Sequence, residues 1–207
     1  MPLPRFHRLA PERRDRILDA AAEEFGAHGY SAASMNRIIE AAELSKGAMY
    51  YYFDGKADLW ATLVDSVFEQ LGPIDATFEA AASPPQFWVA FRRMYDQALA
   101  VFGDAPRVGH MMRAMTRSTQ IDEAMQVLAL AEGMEGLRAS FTRVLTHGQS
   151  IGAVRDDLPV DRLIEVVLAL NTITDRWLAL AHEQDAAAIG ALLDTVVDLN
   201  VRLLTAQ

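Results

Sequence analysis

The stretch Ser45-Lys46-Gly47-Ala48-Met49-Tyr50-Tyr51-Tyr52-Phe53 gathers the side chains best suited to chemistry on one short segment. Met49 and Phe53, four apart, share one helical face and make its inward side. Lys46, Gly47, Ala48, Tyr50 and Tyr51 then point away. Together they offer small residues where a backbone must come close, a cation, and hydroxylated rings that reach phosphates or thymine methyls. That chemistry is non-covalent reading of a DNA groove. A tyrosine run can also be core, but three adjacent tyrosines on one short helix cannot all face inward. At least one ring is displayed, and an exposed aromatic patch needs a partner.

Catalytic chemistry has no comparable constellation. There is no Gly-x-x-x-x-Gly-Lys loop, no Gly-x-Gly-x-x-Gly and no His-Glu-x-x-His. His7, His28, His110, His147 and His182 include no pair at i, i+3 or i+4 for a metal, and cysteine is absent. The expectation is a protein that is not an enzyme, with no metal and no cofactor.

The elements that position the Lys46–Tyr51 face follow from periodicity. Alanine supplies 34 of 207 residues, and no alternating apolar run reaches strand length, which predicts an all-α chain of about nine helices. A first helix runs from Pro11 through Ile17, Ala21 and Phe25, and stops at Gly26 and Gly29. Ser34 opens a short helix with Met35, Ile38, Ile39 and Ala42 on one stripe. A turn at Ala42 to Leu44 leads to a helix capped by Ser45, giving the plan of a helix-turn-helix, whose second helix enters the major groove. Helix starts at Ser34, at Ser45 and beside Lys56 present amides suited to phosphates.

Charge is uneven along the chain. The net charge is −9, yet residues 1–60 hold 8 basic and 9 acidic side chains against 11 and 19 downstream. Arg5, Arg8, Arg13, Arg14 and Arg16 face only Glu12 and Asp15 at the start, so a basic arm opens an acidic protein.

From about Arg14 to Leu59 the sequence resembles the TetR-type transcriptional regulators. The matching pieces are Ile17-Leu18-Asp19-Ala20-Ala21 with Phe25 and Gly29-Tyr30, Ser34 to Ile38, Ala41-Ala42, Leu44 to Phe53, and Lys56 with Leu59. The resemblance implies a homodimeric repressor whose three-helix module binds operator DNA. It puts Lys46, Gly47, Ala48 and Tyr50 at base edges or adjacent phosphates, Tyr51, Ser34 and Lys56 on the backbone, and Arg37 in either role; Tyr52 reaches phosphate or packs. Glu43, where a turn glycine is common, and Ile39, where alanine is common, depart from the pattern.

The expected organisation is a helix-turn-helix DNA-binding domain at 1–55 and a helical effector-binding and dimerisation domain at 56–207. The last two helices, about 160–182 and 186–205, are apolar on two faces, and such helices need neighbours on both sides. Leu163, Val167, Leu170, Leu192, Val196, Leu199 and Leu203 are the candidate dimer residues, in an intermolecular four-helix bundle that the resemblance also implies. A buried hairpin in a monomer is the alternative. A dimer calls for a palindromic operator with half-sites about 34–36 Å apart.

The middle of the chain is rich in aromatics and methionines, which adapt to apolar ligands, and by resemblance it houses an effector pocket. Phe91, Tyr95, His110, Arg113, Asn171 and Trp177 are the candidate handles for a small apolar or amphipathic effector. A helical carrier or protein-interaction module without DNA binding is the rival reading, and the 45–51 face discriminates the two. The longest charge-free stretches are twelve residues, Phe25–Asn36 and Ala80–Phe91, too short for a bilayer, so the expected location is the cytoplasm.

Overall fold

Pro11 stands in the first turn of α1 (Pro11–Ala32), where its missing N–H costs nothing. The computed structural model describes residues 4–71, 74–104, 106–117, 132–184 and 188–205, and every α-helix and 3-10 turn below lies within them. Among these residues there is no strand. After α1 come α2 (Met35–Ala41), α3 (Lys46–Tyr52), α4 (Lys56–Leu71), a 3-10 turn (Asp75–Thr77), α5 (Pro84–Asp104), α6 (Pro106–Arg117), α7 (Glu132–Ser150), α8 (Val160–Gln184) and α9 (Ala188–Leu204). The all-α expectation holds.

The helices form two compact units. One comprises residues 1–70 with 102–135, the other residues 71–101 with 136–207. Compactness therefore groups α4 and α6 with the first three helices, a border different from the one expected at residue 55.

In the first unit Ile17, Ala21 and Phe25 are fully buried along α1, and Trp60 of α4 meets Phe25 edge-on at 4.9 Å and Tyr30 at 5.8 Å. The two glycines expected to stop α1 do different things. Gly29 breaks the helix at φ 72°, ψ 167°, a conformation open to glycine alone. Gly26 sits inside the helix, where α6 crosses so closely that an added Cβ would lie 2.9 Å from the His110 carbonyl oxygen. Arg107 of α6 also reaches Asp15 at 3.0 Å and Asp19 at 2.8 Å on α1.

A paired prediction follows. Gly26→Ala pushes backbone against backbone and lowers stability by about 1–3 kcal/mol. Gly136→Ala in α7, whose Cβ would meet nothing within 4 Å, raises it by up to about 1 kcal/mol through helix propensity. Chemical denaturation of both variants checks the contrast, and equal effects would refute the close α1–α6 crossing.

The second unit centres on Phe78, Phe87, Phe91, Leu145, Leu163, Val167 and Val196, all under 2% exposed. Its α5 begins at Ser83-Pro84-Pro85-Gln86, with the Gln86 Oε1 accepting the Ala82 N–H at 2.8 Å. Helices α8 and α9 pack on each other.

Candidate nucleic-acid interface

The turn between α2 and α3 is built by hydrogen bonding. The Leu44 N–H donates to the Ile39 carbonyl and the Glu43 N–H to the Glu40 carbonyl, both at 3.0 Å, a Schellman closure. Its left-handed position is Glu43, at φ 55°, so the glutamate noted in the sequence takes the conformation a glycine would, at a cost of order 1 kcal/mol. Its carboxylate then pairs with Arg16 at 3.1 Å. Ile39, the second departure, is buried beneath α2.

Helix α3 starts where Ser45 Oγ accepts the Ala48 N–H at 3.1 Å. Met49 and Phe53 are wholly buried, and this anchors the opposite face outward. Lys46 and Gly47 are exposed, Ala48 is half-buried, and Tyr50 and Tyr51 stand 46% and 51% exposed. Nothing lies within 4 Å of where a Gly47 Cβ would be, so that backbone is open to close approach. Tyr52 is half-buried and meets Tyr51 edge-on at 5.4 Å.

Three other candidates have structural duties. Arg37 donates through Nε to both Glu24 carboxylate oxygens at 2.9 Å and through Nη2 to Oε1 at 2.6 Å, and Ser34 donates its backbone N–H to the same oxygen at 2.7 Å. Arg37 is thus a positioning residue that clasps α2 to α1. The Ser34 side chain makes no capping bond; its own backbone N–H is held by the Glu24 carboxylate instead. Lys56 Nζ donates to the Ser31 and Ala33 carbonyls at 3.0 and 3.5 Å and sits 4.8 Å from the Tyr30 ring. It ties α4 to the end of α1.

Glu24 was not among the expected site residues, although its place seven after Ile17 puts a charge on the apolar stripe of α1. Burial pushes its carboxyl up, but the Arg37 fork, the Ser34 N–H and the charges of Arg37 and His28 together hold it below the ordinary 4.5. A depressed carboxyl contributes stability that is complete above its unfolded value and is lost as pH falls through the folded one. Glu24→Ala therefore costs about 1–3 kcal/mol at neutral pH. That deficit shrinks on acidification below pH 4.5. Urea titrations across that range check it; a deficit independent of pH would refute the ion pair's contribution.

Residues 17–63 match the model of the bacterial regulatory proteins of the tetR family. The chain is similar there to the regulators of the tetR family, and its relatives over most of its length are transcriptional repressors and not enzymes. It is 29% identical over 193 residues to the HTH-type transcriptional repressor Rv1474c of Mycobacterium tuberculosis, covering 89% of this chain and 90% of that one. Against the HTH-type transcriptional repressor KstR of Mycolicibacterium smegmatis it is 27% identical over 194 residues, covering 91% and 86%. FadR of Bacillus subtilis, solved in complex with stearoyl-CoA, shares the fold at a TM-score of 0.68 and 19% identity, covering 92% of this chain and 98% of that one.

The effector candidates separate. His110 and Arg113 lie on α6 in the first unit, and burial together with the Arg113 charge lowers the His110 pKa. Phe91, Tyr95 and Asn171 share the second unit: Tyr95 OH donates to Asn171 Oδ1 at 2.9 Å, and the Tyr95 ring meets Phe91 at a tilt, 5.5 Å between centroids. Asn200, fully buried, adds its Nδ2 to the Tyr95 oxygen at 3.4 Å, while its Oδ1 accepts no hydrogen bond. Burial pushes the neighbouring Asp175 carboxyl up to about 7. Trp177 stands apart, 41% exposed.

The dimer candidates divide between two environments. Leu163, Val167 and Val196 are at most 1% exposed and belong to the protomer's own core. Leu170, Leu192, Leu199 and Leu203 are partly exposed. The outward stripe of α8 is Val166, Ile173 and Trp177, at 46%, 53% and 41%. Among the described residues no helix is long and apolar enough to cross a membrane.

Proposed function

We propose that this chain is a homodimeric repressor, working in the cytoplasm, that leaves a palindromic operator when a small apolar or amphipathic effector binds. The observation that carries the DNA reading is the display of Lys46, Gly47, Tyr50 and Tyr51 on a helix whose Met49 and Phe53 are wholly buried. Residues 1–55 read the DNA; residues 56–207 bind effector and partner. Lys56, Ser34 and Ser45 contribute to the backbone contacts mainly by fixing where α2, α3 and α4 begin.

The repressor sense is supported by the names of Rv1474c and KstR, and an acyl-type effector by the stearoyl-CoA complex of FadR. The Tyr95, Asn171 and Asn200 cluster, set against the Phe91 ring, suits the polar end of such a molecule. For coupling, α6, held to α1 through Arg107 and the Gly26–His110 approach, acts with α4 as the lever. Typical coupling of about 1–3 kcal/mol weakens operator binding roughly 5- to 150-fold.

The test is selection of sites from a random duplex pool by the purified chain, followed by titration of the winner with and without acyl-CoA. A palindrome, with affinity reduced by the effector, is expected. One asymmetric half-site would overturn the dimer, equal affinity with bound effector the coupling, and no enrichment at all would favour the helical carrier.

A further inference from the structure

Four of the five arginines that open the chain, Arg5, Arg8, Arg13 and Arg14, have no place in the site described so far. Among the described residues, Arg16 pairs with Glu43, Arg37 with Glu24 and Arg107 with Asp15 and Asp19, whereas Arg5, Arg8, Arg13 and Arg14 form no ion pair. Unmatched cations are conspicuous in a chain of net charge −9. Their position is also fixed. Phe6 is only 3% exposed and packs on Phe53, the residue that closes α3, with ring centroids 4.9 Å apart. Turn bonds from the Arg8 N–H to the Arg5 carbonyl and from the Leu9 N–H to the Phe6 carbonyl, at 3.3 and 3.0 Å, hold the segment folded around that anchor.

The anchored turn sets the Arg5 guanidinium over the exposed Tyr51 ring, 4.2 Å from its centroid. A guanidinium stacked through its face keeps its N–H edge available, and that edge matches a phosphate through two parallel hydrogen bonds. Tyr51 lies on the same short helix as Lys46 and Tyr50, so Arg5 is carried beside the bases that α3 reads. Stacking also restricts a side chain that would otherwise lose much freedom on binding.

We propose that residues 4–8 are a second DNA-contacting element, in which Arg5, stacked on Tyr51 and located by Phe6, clamps a backbone phosphate flanking the bases read by α3. This rests on the DNA-binding reading above. Phosphate contacts position a protein without reading sequence and release counterions, so the clamp has a signature distinct from base recognition. Phe6 acts through Arg5 and is a positioning residue.

Binding of the full chain to its selected operator and to a scrambled duplex, across a salt series, tests the clamp. Arg5→Ala is expected to weaken both duplexes by a similar factor, about 5- to 20-fold near physiological salt, and to lower the slope of log K against log salt by about 0.9 for each lost contact. In a dimer, two contacts are lost. Arg5→Lys keeps the slope but recovers only part of the affinity, because a lysine neither forks nor stacks as a plane. Phe6→Ala reproduces the Arg5→Ala loss; Phe6→Leu, which keeps an apolar anchor, binds more tightly than Phe6→Ala. Wild-type slope and affinity in Arg5→Ala would overturn the clamp while leaving the DNA reading standing. A loss confined to the operator would overturn the phosphate assignment in favour of base contact. Failure of the wild-type chain to bind either duplex would overturn both.

Discussion

Replacing Lys46 and Tyr50 together by alanine is expected to reduce operator affinity about 100-fold or more while the chain keeps its melting temperature. Each good base-edge contact contributes about 1–3 kcal/mol of discrimination, and a two-fold assembly doubles every loss. The fold is insensitive because neither side chain supports it. Lys46 is exposed and Tyr50 is 46% exposed, while the helix is held by the Ser45 cap and by buried Met49 and Phe53. Alanine is also the best helix former, so α3 itself is not weakened. Met49→Ala supplies the contrast, since truncating a buried methionine costs about 2–5 kcal/mol and affects melting and binding together. Fluorescence anisotropy on the operator, beside thermal melts, separates the two cases. Unchanged affinity in the double variant would remove α3 as the reading helix.

That prediction depends on a feature fully visible in the sequence. The four-residue spacing of Met49 and Phe53, and the impossibility of burying three adjacent tyrosines on one helix, were enough to orient α3. Ile38 and Ile39 likewise marked the inner face of α2, and both are buried. What sequence spacing could not supply was the assignment of partners across helices. Arg37 and Lys56 are cations beside a DNA-reading face, and only the fold shows that a Glu24 carboxylate and two α1 carbonyls engage them. Gly26 is the same kind of case: as a residue near a helix end it reads as punctuation, and its true reason is the backbone of α6 some eighty positions away. Phe6 was hidden for a different reason. A lone aromatic in a charged segment has no periodicity, so nothing local announces its seat against Phe53.

The ambiguity in α8 also has a physical basis, and it leads to the second large effect. A helix apolar on two faces offers two stripes of similar hydrophobicity, and sequence cannot say which the protomer buries. Packing decides it: Leu163 and Val167 go inward, Val166, Ile173 and Trp177 outward. Under a two-fold axis each outward residue meets the same patch on the partner, so one substitution alters the interface twice. Val166→Glu with Ile173→Glu would bring four carboxylates into an apolar contact, and taking charge out of water there costs several kcal/mol for each. The variant is therefore expected to sediment as a monomer with the helical content of the wild type. Its operator affinity should fall by more than the Lys46 and Tyr50 exchange produces, toward that of an isolated half-site. Val167→Glu should instead unfold the second unit, because Val167 is wholly buried in its core. Sedimentation velocity and operator titration on the three proteins decide it. A Val166→Glu, Ile173→Glu chain that stays dimeric would move the two-fold face off α8, and a monomeric wild type that binds a palindrome as tightly would remove the dimer from the mechanism altogether.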